Sequence, residues 1–197
     1  MARKPKLKYN RTQRIRQQVR LLAEYGVDDI DKFRQLVSEA SANRKRRTDE
    51  QIADDDFFAG AASELASISR LTDELSIVAL YRVVEVVTAK MIVHELGSAV
   101  QANKMYRINE VKIALKTHKN LELKNVPYYN AIDKLRLLNN EIKHTDGKAL
   151  PRLDQQYDRL RRKVPKYIFR LAERMRFRAK ASQMAPRRKA RRASAAG

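Results

Sequence analysis

Hydrophobic residues recur at intervals of three and four along most of the chain, a spacing typical of amphipathic helices. Glycine and proline are scarce, with five of each, and runs of β-branched residues are few. The pattern therefore predicts an all-α fold, arranged as an antiparallel helical bundle.

The first third of the chain predicts two short helices and the start of a third. The apolar side of the first helix consists of Ile15, Val19, Leu22 and Tyr25. Gly26 is expected to end that helix. The second helix presents Ile30, Phe33, Leu36, Val37 and Ala40, and the basic stretch 43–47 should interrupt it. Thr48-Asp49-Glu50-Gln51 has the form of a capping box, which predicts a helix from there to about Ser69.

The middle of the chain contains its most apolar segment, residues 75–96, which should begin after a cap at Thr72 or Asp73 and end at Gly97. Apolar residues occupy nearly all sides of this helix, so we expect other helices to surround it. A shorter helix is predicted from Ile108 to Leu115. Another is predicted from Tyr128 to Lys143, ended by Thr145-Asp146-Gly147, with a buried side formed by Ile132, Leu135, Leu138 and Ile142.

The last amphipathic segment has a heptad-like row of apolar residues: Leu153, Tyr157, Leu160, Val164, Ile168, Leu171 and Met175. Pro165 interrupts the row, so the helix should kink there or restart with Pro165 in its first turn. The row is expected to pack on the body of the protein or on a copy of itself. The composition after about Lys180, mostly Ala, Ser and Arg, predicts disorder.

Charge is concentrated at the two ends of the chain. Of the formal net charge of +20, residues 1–20 and 159–197 together carry +22, and the stretch between them carries −2. This distribution predicts a polyanionic partner, most simply a nucleic acid. Alternatives are a solubilising tail and, for the acid-free N-terminus, a mitochondrial presequence, although Pro5 and the scarcity of serine argue against the latter. We divide the chain into a basic helical extension (1–47), a helical bundle (48–178) and a disordered basic tail (179–197).

The composition also excludes several kinds of site. The chain has no cysteine and only three histidines, which are scattered, so neither a zinc site nor a disulfide framework is predicted. No glycine-rich phosphate loop is present, and we predict no metal or other cofactor. No segment approaches about 18 uninterrupted apolar residues, so we expect a cytoplasmic protein with no membrane partner.

One local pattern has the character of a chemical site. Arg136, Asn140 and His144 recur every four residues, which places them along one stripe of a helix, with Lys143 beside its end. Histidine can transfer a proton near neutral pH, and arginine can hold a phosphate through two hydrogen bonds. Metal-independent cleavage of RNA needs both functions. The alternative is structural, because a helix dipole also favours histidine at the C-terminus of a helix.

The segment from Tyr129 to Gly147, with the helices predicted at 75–96 and 108–115, resembles the HEPN superfamily (higher eukaryotes and prokaryotes nucleotide-binding domain). The resemblance covers roughly Asp49 to Arg176. It implies a compact helical bundle, commonly a homodimer in which the motifs of two protomers meet in one cleft. It also implies a metal-independent endoribonuclease of a defence or toxin–antitoxin type.

The motif of the HEPN superfamily is an arginine, usually followed by a polar residue, and then a histidine after four to six intervening positions. This chain matches the motif incompletely. His144 matches the family histidine, and Asn140 matches the polar residue that often follows the family arginine. The arginine itself would fall at Asn139, whereas Arg136 lies about one turn earlier in the chain. Arg136 can serve the same cleft only if its long side chain reaches it.

Two functions follow from these observations. The first is a HEPN-like RNA-binding protein, with endoribonuclease activity if His144 acts as general acid and base while Arg136 and Lys143 hold the phosphate. The second is a noncatalytic nucleic-acid-binding protein whose bundle serves dimerisation or binds a protein partner such as an antitoxin. In both, RNA is favoured over DNA, and the predicted contacts are Lys143, Arg159, Arg161, Arg162, Lys166 and Arg170.

Overall fold

The computed structural model of the 197-residue chain describes residues 11–50, 55–144 and 150–175. The regular elements of these residues are helices, which confirms the predicted all-α class. They are α1 (Arg11–Glu50), α2 (Asp55–Leu96), α3 (Ile108–Lys119), α4 (Tyr129–His144), α5 (Leu153–Arg161) and α6 (164–175). Short 3₁₀ segments occur at Gly97–Ala99, Ala102–Lys104 and Leu123–Asn125. An antiparallel order for the bundle as a whole remains a prediction.

The helices form two compact units, and both α1 and α2 contribute to each of them. The first unit contains the described residues of 1–23, 85–129 and 165–197. The second contains those of 24–84 and 130–164. The candidate residues on α4 and α5 belong to the second unit, and those on α6 belong to the first.

Helix α1 is continuous, so the predicted interruptions at Gly26 and at residues 43–47 are wrong. Gly26 lies against α2, where an added Cβ would come within 2.8 Å of Cγ2 of Val83. The glycine therefore permits a close approach of two helices and does not end one. Thr48 does not begin a helix, because its hydroxyl donates a hydrogen bond to the Arg44 carbonyl one turn earlier in α1.

The apolar side predicted for α1 is only partly correct. Its buried row is Val19, Ala23, Val27 and Ile30, at steps of four, four and three. Four of the residues assigned to the packed side, Leu22, Tyr25, Phe33 and Leu36, are exposed. Apolar residues occupy two rows of this helix, and only one of the rows is covered.

Helix α2 is also continuous, and the predicted boundary between Ser69 and Asp73 is wrong. The Thr72 hydroxyl donates to the Ile68 carbonyl at 2.7 Å, and the Ser76 hydroxyl donates to the Thr72 carbonyl at 2.6 Å. These hydroxyls bond back within the helix, so they do not cap a new one. The end of α2 is as predicted, since Gly97, at φ +58°, follows Leu96 directly.

Within the second unit, α1 and α2 pack against each other in opposite directions. Nη2 of Arg44 lies 2.6 Å from Oε2 of Glu64, and Nη1 of Arg34 lies 2.7 Å from Oδ1 of Asp73. Gly26 of α1 faces Val83 of α2. Residue numbers fall along α1 as they rise along α2, which defines an antiparallel hairpin in this unit.

The C-terminal predictions agree closely with the structure. Helix α3 starts at Ile108 as predicted but ends at Lys119, four residues beyond the predicted end at Leu115, and α4 differs from its predicted bounds by one residue at each end. Pro165 is the second residue of α6, so the helix restarts there. All seven residues of the predicted apolar row are buried: Leu153, Tyr157, Leu160, Val164, Ile168, Leu171 and Met175.

Some predictions fall on residues that the structure does not describe. These are the first ten residues of the predicted basic extension, the helix end at Thr145-Asp146-Gly147 and the tail after Lys180. Among the helices of the described residues, none combines the length and the apolar character needed to cross a membrane.

Candidate nucleic-acid interface

Helix α4 carries the residues of the proposed motif and has one clearly buried side. Ile132, Leu135 and Leu138 are buried, as the apolar spacing predicts, whereas Ile142, predicted to be buried with them, is only half-buried. Asn139 is buried with them, with 2% of its surface exposed. Asn139 follows Leu135 by four residues, so it lies on the same side of the helix. The sequence analysis missed this placement, although the four-residue step from Leu135 indicates it.

The burial of Asn139 bears directly on the HEPN-like motif. The amide Nδ2 of Asn139 makes a long hydrogen bond of 3.5 Å to Oδ1 of Asn140. Its own Oδ1 is buried and has no hydrogen-bond partner within the described chain. The position that would hold the family arginine is therefore an interior position, where a guanidinium would lose its contact with water.

Arg136 is engaged on its own helix. Its Nε donates a hydrogen bond to Oδ1 of Asp133 at 2.9 Å, and both side chains are partly buried. This ion pair neutralises the guanidinium and holds it toward the N-terminal side of α4, away from His144. A phosphate would have to compete with Asp133 for Arg136.

The other members of the motif are open to solvent. Asn140, Lys143 and His144 are exposed, and His144 is the last residue of α4. Asn140 and His144 are one turn apart, so an imidazole, an amide and the Lys143 ammonium can all meet a ligand that approaches the end of this helix. The arrangement supplies a proton-transfer group and a cation, without a free arginine.

The predicted cationic contacts fall into two classes. Lys143, Arg159, Arg162 and Lys166 are exposed and form no ion pair with a carboxylate of residues 11–50, 55–144 or 150–175. Arg170 instead lies 2.8 Å from Glu173, with its guanidinium 6.0 Å from the centre of the Phe169 ring. Arg161 is also paired, to Asp31 of α1 and, at 3.2 Å, to Asp158 of its own helix.

Arg161 belongs to a polar cluster that ties α5 to the α1/α2 hairpin of the second unit. The buried Tyr157 hydroxyl donates a hydrogen bond to Oδ1 of Asp31 at 2.8 Å, and Arg161 donates one to Oδ2 of the same carboxylate. Arg34 lies over the Tyr157 ring, 4.6 Å from its centre. Burial, together with the hydrogen bond to the Asp31 carboxylate, raises the pKa of the Tyr157 phenol well above its usual value. Arg161 therefore has a clear packing role.

Three further cations were not recognised as candidates from the sequence. Lys45, Arg46 and Arg47 are exposed on the last turns of α1, whereas the sequence analysis interpreted their stretch as a break. Because the helix continues through them, their side chains are held on a regular scaffold.

The described part of the chain thus defines an all-α protein with exposed, unpaired cations and an exposed histidine at a helix end. Within that part, no group of three or more His, Asp or Glu side chains is placed to hold a metal ion. Comparison of the chain with known protein families, with curated proteins and with solved structures gives no match.

Proposed function

We propose that this protein binds nucleic acid, RNA in preference to DNA, through exposed cations of its C-terminal half. The observation that supports the proposal best is the set of four exposed cations without a described carboxylate partner: Lys143, Arg159, Arg162 and Lys166. Cations that are free of internal partners can take up phosphates at little cost, and each contact releases counterions from the nucleic acid.

The net charge of +20 supports the same function. Phosphate contacts position a protein on nucleic acid but do not read its sequence. We therefore expect binding with strong dependence on salt and little dependence on sequence. The choice of RNA follows the HEPN-like pattern around His144.

A direct test compares the wild-type protein with two variants that each lose three positive charges. The site variant is K143Q/R159Q/R162Q, whose three residues belong to the second unit. The control variant removes exposed cations of the first unit: K104Q/R107Q/K112Q. Binding to a fluorescein-labelled single-stranded RNA, and to the DNA of the same sequence, is measured by anisotropy over a range of salt concentrations.

The site variant should bind RNA about tenfold more weakly or worse, with a slope of log K against log salt reduced by up to about 2, since each single-strand phosphate contact contributes about 0.7. The control variant should lose much less affinity. Equal losses in the two variants would mean that net charge alone attracts the RNA, and would contradict a site on these residues.

A second candidate function, metal-independent cleavage of RNA, rests on the exposure of His144 and Asn140 on one stripe of α4. His144 would take the proton from a 2′-hydroxyl that attacks the adjacent phosphorus. It would then give that proton to the oxygen that leaves the phosphorus. The pairing of Arg136 with Asp133 and the burial of Asn139 leave the pentacoordinate phosphate without the arginine that this chemistry uses. These contacts favour binding without cleavage.

Incubation of a mixed RNA pool in EDTA with the wild-type protein and with His144→Ala separates the two functions. We expect no cleavage by either protein and equal binding by both. Cleavage that disappears in His144→Ala, with binding intact, would establish the nuclease and overturn our preference.

A further inference from the structure

Five large apolar side chains are exposed along the α1/α2 hairpin of the second unit. They are Tyr25, Phe33 and Leu36 of α1, and Leu71 and Leu75 of α2, and we refer to them as the hairpin face. Leu36 and Tyr25 have 65% and 61% of their surface exposed. Tyr25 and Leu36 are separated by about three full turns, so they lie on the same side of α1.

The α1 and α2 residues of this face point to the same side of the hairpin. Asp31 marks the α5 side of α1, because it contacts Tyr157 and Arg161. Phe33, Leu36 and Tyr25 all lie at least about 120° around the helix from Asp31.

A parallel argument holds for α2. Asp73 marks its α5 side, because Asp73 pairs with Arg34, which also covers the Tyr157 ring. Leu71 and Leu75 are each two residues from Asp73 and hence about 160° around α2 from it. Both rows therefore project away from α5, on one outer side of the hairpin.

The contacts between the two helices also set their register. Arg34 meets Asp73 and Gly26 meets Val83, and the chains run in opposite directions. This register places Phe33 level with Leu75, and Leu36 level with Leu71. The hairpin face is thus a continuous patch that exposes on the order of 500 Å² of apolar surface, as large as the largest patch of a typical monomer.

One acid and one base lie within the face, and their charges cancel. Asp29 and Lys32 stand between Tyr25 and Leu36 on the same side of α1, 3.7 Å apart within one copy, with 76% and 73% of their side chains exposed. Residues 24–40 as a whole carry a net charge of −3, whereas the chain carries +20. The face therefore lies away from the surplus of positive charge, and the Asp29–Lys32 pair adds no net charge to it.

We propose that the hairpin face binds a second copy of the chain, with the α1/α2 hairpins of the two copies packed about a twofold axis. Such an interface must be complementary to itself, and one acid beside one base meets that requirement, since Asp29 of each copy can pair with Lys32 of the other. A standard interface buries about 800 Å² per partner, so the apolar patch of about 500 Å² would supply most of such an interface and the residues that border it would supply the remainder. An apolar, locally acidic surface does not attract the phosphates of a nucleic acid. Dimerisation through the hairpin face therefore leaves the exposed cations proposed above free to bind nucleic acid.

The test measures the oligomeric state of the full chain by light scattering coupled to size-exclusion chromatography, and by sedimentation. The protein is first treated with ribonuclease and kept in high salt, because bound RNA could bridge two copies. The wild-type protein should have twice the 22.9 kDa mass of one chain. The variant Leu36→Glu/Leu71→Glu should raise the dimer dissociation constant by about 100-fold or more, because it buries four charges in the interface.

Leu137→Glu is the matched control, because Leu137 of α4 is an exposed leucine of the same unit, with 53% of its surface exposed, outside the face. It should remain dimeric. Circular dichroism checks that all variants keep their helix content. A monomeric wild-type protein, or a dimer that persists in Leu36→Glu/Leu71→Glu, would overturn the proposal. Equal dissociation of Leu137→Glu would overturn it as well.

A charge exchange tests the twofold pairing itself. Asp29→Lys should weaken the dimer, because it places two lysines where an acid and a base meet. Asp29→Lys/Lys32→Asp should recover most of the lost affinity. Failure of the double variant to recover would contradict the pairing of these two residues across a dimer axis.

Discussion

The hydroxyl of Tyr157 donates a hydrogen bond to Asp31 across 126 residues of chain, and this contact joins α5 to α1. Tyr157 is almost completely buried, and Asp31 also holds Arg161. The phenol must stay protonated to donate this bond, so the contact is sensitive to alkali.

Tyr157→Phe should lower the free energy of unfolding by about 1–2 kcal/mol near neutral pH, because it removes the hydrogen bond between the buried phenol and the partly buried Asp31 carboxylate. The raised pKa means that the folded protein keeps the phenolic proton while the unfolded chain releases it above its ordinary pKa of 10. The wild-type protein therefore loses stability as pH rises above about 10, and Tyr157→Phe should lose less over that range. Urea unfolding between pH 8 and pH 11 measures both effects.

Tyr128→Phe, at an exposed tyrosine, is the control for that experiment. It should follow the wild-type stability at each pH. If Tyr157→Phe declined with alkali as steeply as the wild-type protein, the titration of Tyr157 would not govern the decline.

Gly26→Ala should destabilise the protein by about 1 kcal/mol, although alanine favours a helix, because overpacking outweighs the gain in propensity. The new Cβ would meet Cγ2 of Val83 at 2.8 Å and Cγ1 at 3.2 Å, and a β-branched side chain in a helix has little freedom to move. Combined with Val83→Ala, the same substitution should become stabilising. A double-mutant cycle by urea unfolding measures the coupling.

Gly60→Ala provides the matched control, since Gly60 is a helical, exposed glycine whose added Cβ would meet nothing within 4 Å. It should stabilise the protein by about 0.5–1 kcal/mol. Stabilisation by Gly26→Ala alone would show that α1 and α2 are not in close contact at Val83.

Asn139→Arg should destabilise the protein by about 3 kcal/mol or more, because it forces a guanidinium into an interior position. An arginine placed at the position that the HEPN-like motif would use should therefore not create a nuclease. Asn140→Arg, at the exposed neighbouring position, should change stability by less than about 0.5 kcal/mol. Thermal unfolding of both variants, with cleavage assays in EDTA, tests this; a stable and active Asn139→Arg would refute the buried placement.

Lys119→Gln should lower the free energy of unfolding by about 1–2 kcal/mol, because its ammonium lies 2.8 Å from Oε1 of Glu95 in a partly buried pair of the first unit. Lys116→Gln is the control, since Lys116 is exposed and lies 4.0 Å from Glu122. It should cost less than about 0.5 kcal/mol. Equal costs in urea unfolding would show that burial adds nothing to the Lys119–Glu95 pair.

The all-α fold class and the buried side of the C-terminal helices could be predicted from the sequence, because the rows of apolar residues there are unambiguous. From Leu153 to Met175, apolar residues recur at steps of three and four, and most of the other positions are charged or polar, so the buried side is clear from the spacing. The start of α3 and the bounds of α4 were equally clear, because polar residues and a proline flank them. The end of α3 was predicted four residues too early, because its last turn, residues 116–119, is polar and carries no apolar residue to indicate a helix.

The full length of α1 and α2 could not be predicted, because the residues that suggested helix ends also occur inside helices. Gly26 resembles a helix end, but its contact with Val83 depends on a segment more than fifty residues away. Thr48 and Thr72 resemble caps, but their hydroxyls bond back to carbonyls one turn earlier. Whether the helix ends or continues at such a residue depends on tertiary contacts, which a local sequence pattern does not contain.

In the candidate site too, some features follow from local spacing and others depend on tertiary contacts. The exposure of His144 and Lys143 follows from their place beside the apolar row of α4. The pairing of Arg136 with Asp133, three residues earlier on the same helix, could have been read from the helical spacing. The pairing of Arg161 with Asp31 could not, because the two residues are 130 apart in the chain and Arg161 also has Asp158 within reach.

The spacing of contacts in the second unit has a consequence for the order in which the chain folds. Arg44 and Glu64 are only 20 residues apart, whereas Asp31 and Tyr157 are 126 apart. Closing a short loop costs less entropy than closing a long one, so we expect the hairpin to form from the Arg44–Glu64 end and α5 to join it afterwards. Pulse-labelling hydrogen exchange during refolding would then protect the amides of α1 and α2 before those of α5, and simultaneous protection would contradict this order.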